Sequence, residues 1–150
     1  MPPADASGRS GLNKPKTVLI ADNSEIVRKK IRQALEQDTP FEVCAEAVDG
    51  IDAVSKAKEL SPDLIILDVR MPGLNGIEVA GILRYALPRI RIVLVTLYAE
   101  ELTTNIASLF HIDAVVAKAD GLAKVTDLIT GLLANRQLDI TTPGETLRAV

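Results

Sequence analysis

Apolar and polar positions along the chain alternate between two periods, and the switches mark the elements. Lys16–Ala21 is a short apolar run that reads as a strand. Ser24 follows as a candidate helix N-cap, and Ile26, Val27, Ile31, Ala34 and Leu35 form a stripe at helical spacing until Asp38-Thr39-Pro40 stops it. Phe41–Ala47 then alternates: Phe41, Val43, Ala45 and Ala47 on one face, Glu42, Cys44 and Glu46 on the other. Two charges on one face predict an edge strand. Asp49-Gly50 opens a second helix with stripe Ala53, Val54, Ala57 and Leu60, ended by Ser61-Pro62. Asp63–Asp68 and Ile90–Thr96 are apolar on both faces and predict central strands, with a helix over Gly76–Leu87 between them. Glu100–Phe110 reads as a helix, Ala114–Ala117 as a brief strand, and Leu122–Leu133 as the last helix. Its stripe is Leu122, Val125, Leu128, Ile129, Leu132 and Leu133.

About five strands alternating with about five helices imply right-handed βαβ units and a parallel sheet covered on both faces. Strands one, three and four are the most apolar, two is two-faced and five is short. The expected fold is therefore α/β: a flavodoxin-like, doubly wound (βα)5 unit in three α/β/α layers, sheet order 2-1-3-4-5. Residues 1–15 read as a flexible N-terminal tail, 16–134 as one domain, and 135–150 as a disordered or loosely held C-terminal tail.

Composition narrows the function more than the fold. The 150 residues carry a net charge of −3, with a pI near 5.2, which gives no electrostatic case for nucleic-acid or membrane-surface binding. The cluster Arg28, Lys29, Lys30 and Arg32 reads as a solvated helix face. Cys44 is the single cysteine and reads as strand filling; no internal disulfide is available. The N-terminus has no apolar signal core, and no run approaches the ~18 residues that span a bilayer. A soluble, cytoplasmic protein is expected.

In an open α/β sheet, ligands bind beyond the carboxyl ends of the strands, at the switch point between strands one and three. Strand one ends in Asp22-Asn23, three in Asp68, four in Thr96, and five near Lys118. Two carboxylates brought together repel and favour a bound cation. Oxygen-only ligands point to Mg²⁺; the single His and single Cys cannot build a zinc site. A hydroxyl and an ammonium at the same rim suit a phosphoryl group. The chemistry inferred is phosphoryl transfer onto a carboxylate, giving a mixed anhydride.

Over about Lys16 to Ala134 the chain resembles the receiver domain of two-component response regulators. The resemblance rests on Ala21-Asp22-Asn23, Glu46-Ala47-x-Asp49-Gly50, Asp68-x-Arg70-Met71-Pro72-Gly73-x-Asn75-Gly76, Thr96, and Lys118-Ala119-Asp120, in order and at family-like spacing. It implies Asp68 as phosphoacceptor. Asp22, Asn23, Asp68 and the backbone carbonyl of Arg70 would hold Mg²⁺. Lys118 would pair with the phosphoryl group, and Thr96 would move toward it. It implies a switch rather than an enzyme, charged by a sensor histidine kinase or phosphotransfer protein. The signal would pass to a downstream protein target, with no nucleic acid or membrane bound by this chain.

The resemblance is nearest to receivers of LuxR/NarL-type regulators, which usually precede a helix-turn-helix output. Only seventeen residues follow Leu133, too few for such a unit, so a stand-alone receiver is expected. In the family, the face of the fourth helix, fifth strand and fifth helix docks partners or forms homodimers. Here that face is expected to include Leu102, Asn105, Ile106, Val115, Val116 and Lys124.

Three positions depart from the family pattern. Asn23 brings an amide where a second acid is usual, so weaker Mg²⁺ binding is expected. Val115 stands where many receivers carry a switching aromatic; Tyr98 is the alternative. His111-Ile112 replaces a usual Gly-Ala, and His111 is expected to cap a helix in a left-handed conformation. Competing readings are a receiver that signals without phosphorylation, the receiver part of a DNA-binding regulator, and a flavodoxin-like enzyme. The last is disfavoured because Asp22-Asn23-Ser24, not a Gly-rich loop, follows strand one.

Overall fold

The computed structural model describes residues 14–97 and 110–134. Its strands are β1 (Thr17–Ala21), β2 (Glu42–Ala47), β3 (Leu64–Asp68), β4 (Arg91–Thr96) and β5 (Ala114–Ala117). All neighbours pair in parallel, in the order β2-β1-β3-β4-β5 anticipated from strand polarity. The described helices are α1 (Glu25–Asp38), α2 (Gly50–Leu60), α3 (Gly76–Ala86) and α4 (Leu122–Ala134). The predicted helix over Glu100–Phe110 lies outside the described residues except for its last position, as does Tyr98.

Local chemistry sets the helix starts. The Ser24 hydroxyl accepts the Val27 N–H, and Asp49 accepts the Asp52 N–H. Asn75 and Glu78 form a reciprocal capping box at α3, a pairing that the N-x-x-E spacing advertises. His111 does adopt the left-handed conformation, at φ 53°. Among the described residues no helix is long and apolar enough to cross a membrane.

The sheet divides the core in two. On one face Leu19, Ile65, Leu67, Ile92 and Leu94 pack against α2 and α3. On the other Val18, Ile20, Ile66, Val93 and Val95 pack against α1 and α4. Full burial of such side chains contributes roughly 1.5–3 kcal/mol each. β3 is buried at every position, which explains why its sequence shows no two-faced alternation.

The edge strand corrects the sequence reading. Val18 pairs with Val43 but Leu19 pairs with Ala45, so an extra residue bulges from β2. Val43 joins the α1/α4 core, whereas Cys44, Ala45 and Ala47 join the α2/α3 core. The strict alternation predicted for 41–47 fails there, and Glu46 is turned toward α1. Two stripe positions also differ: Ile26 and Leu60 are exposed, because the packed faces of α1 and α2 centre on Ile31, Leu35, Ala53 and Ala57. Val115 and Val116 are fully buried on opposite faces of the sheet, so neither contributes to the partner face expected of them.

Candidate functional site

The carboxyl ends of β1, β3, β4 and β5 converge, and they bring the predicted residues with them. Asp22 follows β1 immediately, Asp68 is the last residue of β3, Thr96 the last of β4, and Lys118 the first after β5. Asp22, Asp68 and Thr96 are all buried, at 2%, 5% and 3% exposure. Buried carboxylates are costly unless compensated, and here one ammonium compensates both. Lys118 Nζ lies 3.2 Å from Asp22 Oδ2 and 3.3 Å from Asp68 Oδ1.

Asp22 is held at every polar atom. Its N–H donates to the Ala47 carbonyl at 3.1 Å, and its carbonyl accepts from Arg28 Nη1 at 2.7 Å. Its Oδ1 accepts the Ser24 N–H at 2.8 Å. Asp68 is held more loosely: besides Lys118, its Oδ1 accepts the Arg70 N–H at 3.4 Å. Burial, and then repulsion from Asp22, push the Asp68 carboxyl pKa up; Lys118 and the Arg70 N–H oppose this without cancelling it. A carboxylate that is buried and repelled by a second carboxylate gains from an arriving cation.

Thr96 is in register with Ala117, and Asp68 with Val95, so Thr96 and Lys118 occupy adjacent strand ends beside Asp68. Asn23 is different: it follows Asp22 directly but is exposed. The turn carrying Arg70 folds back so that Gly76 N–H donates to the Val69 carbonyl at 2.9 Å. A Cβ on Gly76 would sit 2.3 Å from the Asp68 carbonyl oxygen, so glycine is required for α3 to start this close to the acid.

Sequence reasoning missed Arg28. It reads as part of a solvated basic face, yet its side chain is only 11% exposed and links the Asp22 carbonyl to Glu46. The available signal was the motif residue Glu46, but only the β2 bulge aims it at α1.

The donor set suits a hard divalent cation: two carboxylates, an amide oxygen and backbone oxygen, all at strand ends or in the following loops. Among the described residues no group of three or more His, Cys, Asp or Glu side chains could hold a metal. A groove of about 840 Å³ lies at the other end of the sheet, beside Lys16, Arg84, Arg89, Arg91 and Asp113. Arg84 and Arg91 there are engaged by main-chain carbonyls and Asp113.

A doubly wound sheet with an acid-and-lysine pocket at its switch point defines a class of ligand-binding α/β proteins. Comparison with known proteins narrows the class. The family model of the response regulator receiver domain matches residues 18–130. The chain belongs to this family, the receiver domains of two-component response regulators.

Among curated relatives, protein-glutamate methylesterase/protein-glutamine glutaminase 5 of Myxococcus xanthus is 41% identical over 95 residues, covering 63% of this chain and 27% of that protein. Response regulator protein VraR of Staphylococcus epidermidis is 32% identical over 112 residues, covering 75% of this chain and 54% of that protein. The chain thus spans about a quarter to a half of these relatives. Among solved structures, a LuxR-family DNA-binding response regulator from Staphylococcus aureus superposes with TM-score 0.72 at 27% identity, covering 77% of this chain and 97% of that one. The response regulator domain of Thermotoga maritima CheB gives 0.66 at 32% identity, covering 73% and 82%.

Proposed function

We propose that this chain is a phosphoacceptor receiver: Asp68 takes a phosphoryl group from the phosphohistidine of a sensor kinase or phosphotransfer protein. The observation that carries the reading is the convergence of Asp22, Asp68 and Lys118, with both carboxylates buried and one ammonium within 3.3 Å of each. An Asp68 carboxylate oxygen would attack phosphorus as the phosphorus–nitrogen bond to the donor imidazole breaks. The product is an acyl phosphate, and the leaving imidazole is returned neutral or takes a proton from solvent. Lys118 would exchange its present carboxylate contacts for the new phosphoryl oxygens, and Thr96 would offer its hydroxyl. Asp22, the Asn23 amide oxygen, Asp68 and the Arg70 carbonyl would hold Mg²⁺. Bound there, its chemistry would be to neutralise charge on the transferring oxygens.

The switching unit is taken as 16–134, with 1–15 and 135–150 as tails. On this reading the chain is a cytoplasmic switch that acts through protein contacts, neither an enzyme nor a DNA-binding unit in itself. The methylesterase and VraR relatives are longer proteins, of which this chain covers 27% and 54%. Acetyl phosphate with Mg²⁺, followed by intact mass, tests the proposal. A gain of one phosphoryl group that disappears in Asp68→Ala supports it. A wild-type chain with no gain favours the second reading, signalling without phosphorylation, which the exposed, uncharged Asn23 motivates.

A further inference from the structure

We propose that Arg28 is a positioning residue for the cation site, fixing the Asp22–Ser24 turn through the Asp22 carbonyl. This rests on the phosphoacceptor reading above. Asp22 and Asn23 leave β1 at the point where the sheet ends, and three anchors define the path there. The Asp22 N–H is held by β2 at 3.1 Å, its Oδ1 by the Ser24 N–H at 2.8 Å, and its carbonyl by Arg28 at 2.7 Å. The first two are ordinary strand and turn bonds. The third comes from a long side chain one turn into α1, and such a chain would wander if nothing else held it.

Glu46 holds it. Arg28 Nε donates to Glu46 Oε1 at 2.9 Å, and Arg32 takes the other carboxylate oxygen. The Glu46 main chain is stapled from the opposite side by Lys56 Nζ on its carbonyl at 2.6 Å. The β2 bulge makes this possible. Without the extra residue between Val43 and Ala45, Glu46 would face α2 rather than α1. Glu46 also neutralises the Arg28 guanidinium, which would otherwise repel a cation beside Asp22. Burial raises the Glu46 pKa but hydrogen bonds from Arg32 and Arg28 outweigh it, so the carboxyl stays well ionised.

Arg32 supplies the control, because it binds Glu46 yet does not touch Asp22. Calorimetric Mg²⁺ titration of the full chain should show Arg28→Met binding about tenfold more weakly, the low end for groups that orient metal ligands. Arg32→Met should stay within about twofold of wild type. With acetyl phosphate, Arg28→Met should recover its rate at saturating Mg²⁺, and Arg28→Lys should fall between the two, since one ammonium cannot bridge both acceptors. Equal Mg²⁺ affinities in Arg28→Met and wild type, or equal losses in Arg28→Met and Arg32→Met, overturn the positioning role alone. A wild-type chain that binds no Mg²⁺ overturns both this role and the site reading. If Arg28→Met does not fold, Arg28→Lys decides: weakened Mg²⁺ binding supports the role and wild-type binding refutes it.

Discussion

The two ends of the sheet carry buried charge in opposite ways. At the amino ends of the strands, Asp63, Asp113 and Arg84 are each tied to backbone. Asp63 accepts the Thr17 N–H and hydroxyl at 2.8 and 3.3 Å. Asp113 accepts the Ile92 N–H at 2.8 Å and pairs with Arg91 at 3.1 Å. Arg84 donates to the carbonyls of Pro88, Ile90, Phe110 and His111, each at 2.9 Å. At the carboxyl ends, Asp22 and Asp68 share Lys118. The first arrangement fastens loops. The second leaves a site whose charges improve when something arrives, and it costs stability in the meantime.

If that contrast is right, removing a buried charge at the two ends should have opposite signs. Arg84→Met should be the largest effect, about 3–4 kcal/mol of lost stability in denaturant melts, because several carbonyls lose their donor together. Mg²⁺ affinity should not change. A loss below about 1 kcal/mol would mean that water replaces the guanidinium at little cost.

Asp68→Asn should instead stabilise the fold, by about 1 kcal/mol or several degrees at neutral pH. The sign follows from the raised folded-state pKa. That carboxyl contributes most below the ordinary carboxylate pKa near 4, and the contribution is lost as pH rises through the higher folded value. The gap between Asp68→Asn and wild-type melting midpoints should therefore widen from about pH 4 toward 7. A constant gap would show that charge is not its cause. Glu46 should behave in the reverse sense: its folded pKa is lowered, so its contribution is present above the ordinary value and fades as pH falls through the folded one.

Asn23→Asp should tighten Mg²⁺ by on the order of 1 kcal/mol, about fivefold, because the added charge sits at an exposed position. Unchanged affinity in a titration would remove Asn23 from the ligand set. The smallest effect belongs to the amino end. His111→Gly should gain about 0.5 kcal/mol in a thermal melt by relieving a positive φ of 53°. A loss there would assign the imidazole a contact that outweighs the strain.

Most of the framework was legible in the chain because it is written in local periods. Fully apolar runs at Asp63–Asp68 and Ile90–Thr96 predicted central strands, and those runs ended at Asp68 and Thr96. Topology did the rest, since parallel strands deliver all their terminal residues to one edge. That is why Asp22, Asp68, Thr96 and Lys118 could be named before their contacts were seen. The errors fall where pairing overrides period. A bulge is a property of two strands, and nothing in Phe41–Ala47 alone distinguishes Glu46 facing α1 from Glu46 facing α2. Arg28 inherits the same ambiguity: a basic helix position looks solvated until the strand beside it supplies a carboxylate. Val115 and Val116 were placed on a partner face, but sheet cover on both sides buries them.

The sequence by itself thus determined the strand order, the family and which acids reach the switch point, because hydrophobic period and strand ends are local. Only the tertiary structure decided that one lysine spans Asp22 and Asp68, that Asn23 stays exposed, and that a bulged edge strand turns Glu46 to grip Arg28. Those outcomes depend on distances between segments far apart in the chain, and register between them is set by packing rather than by either segment alone.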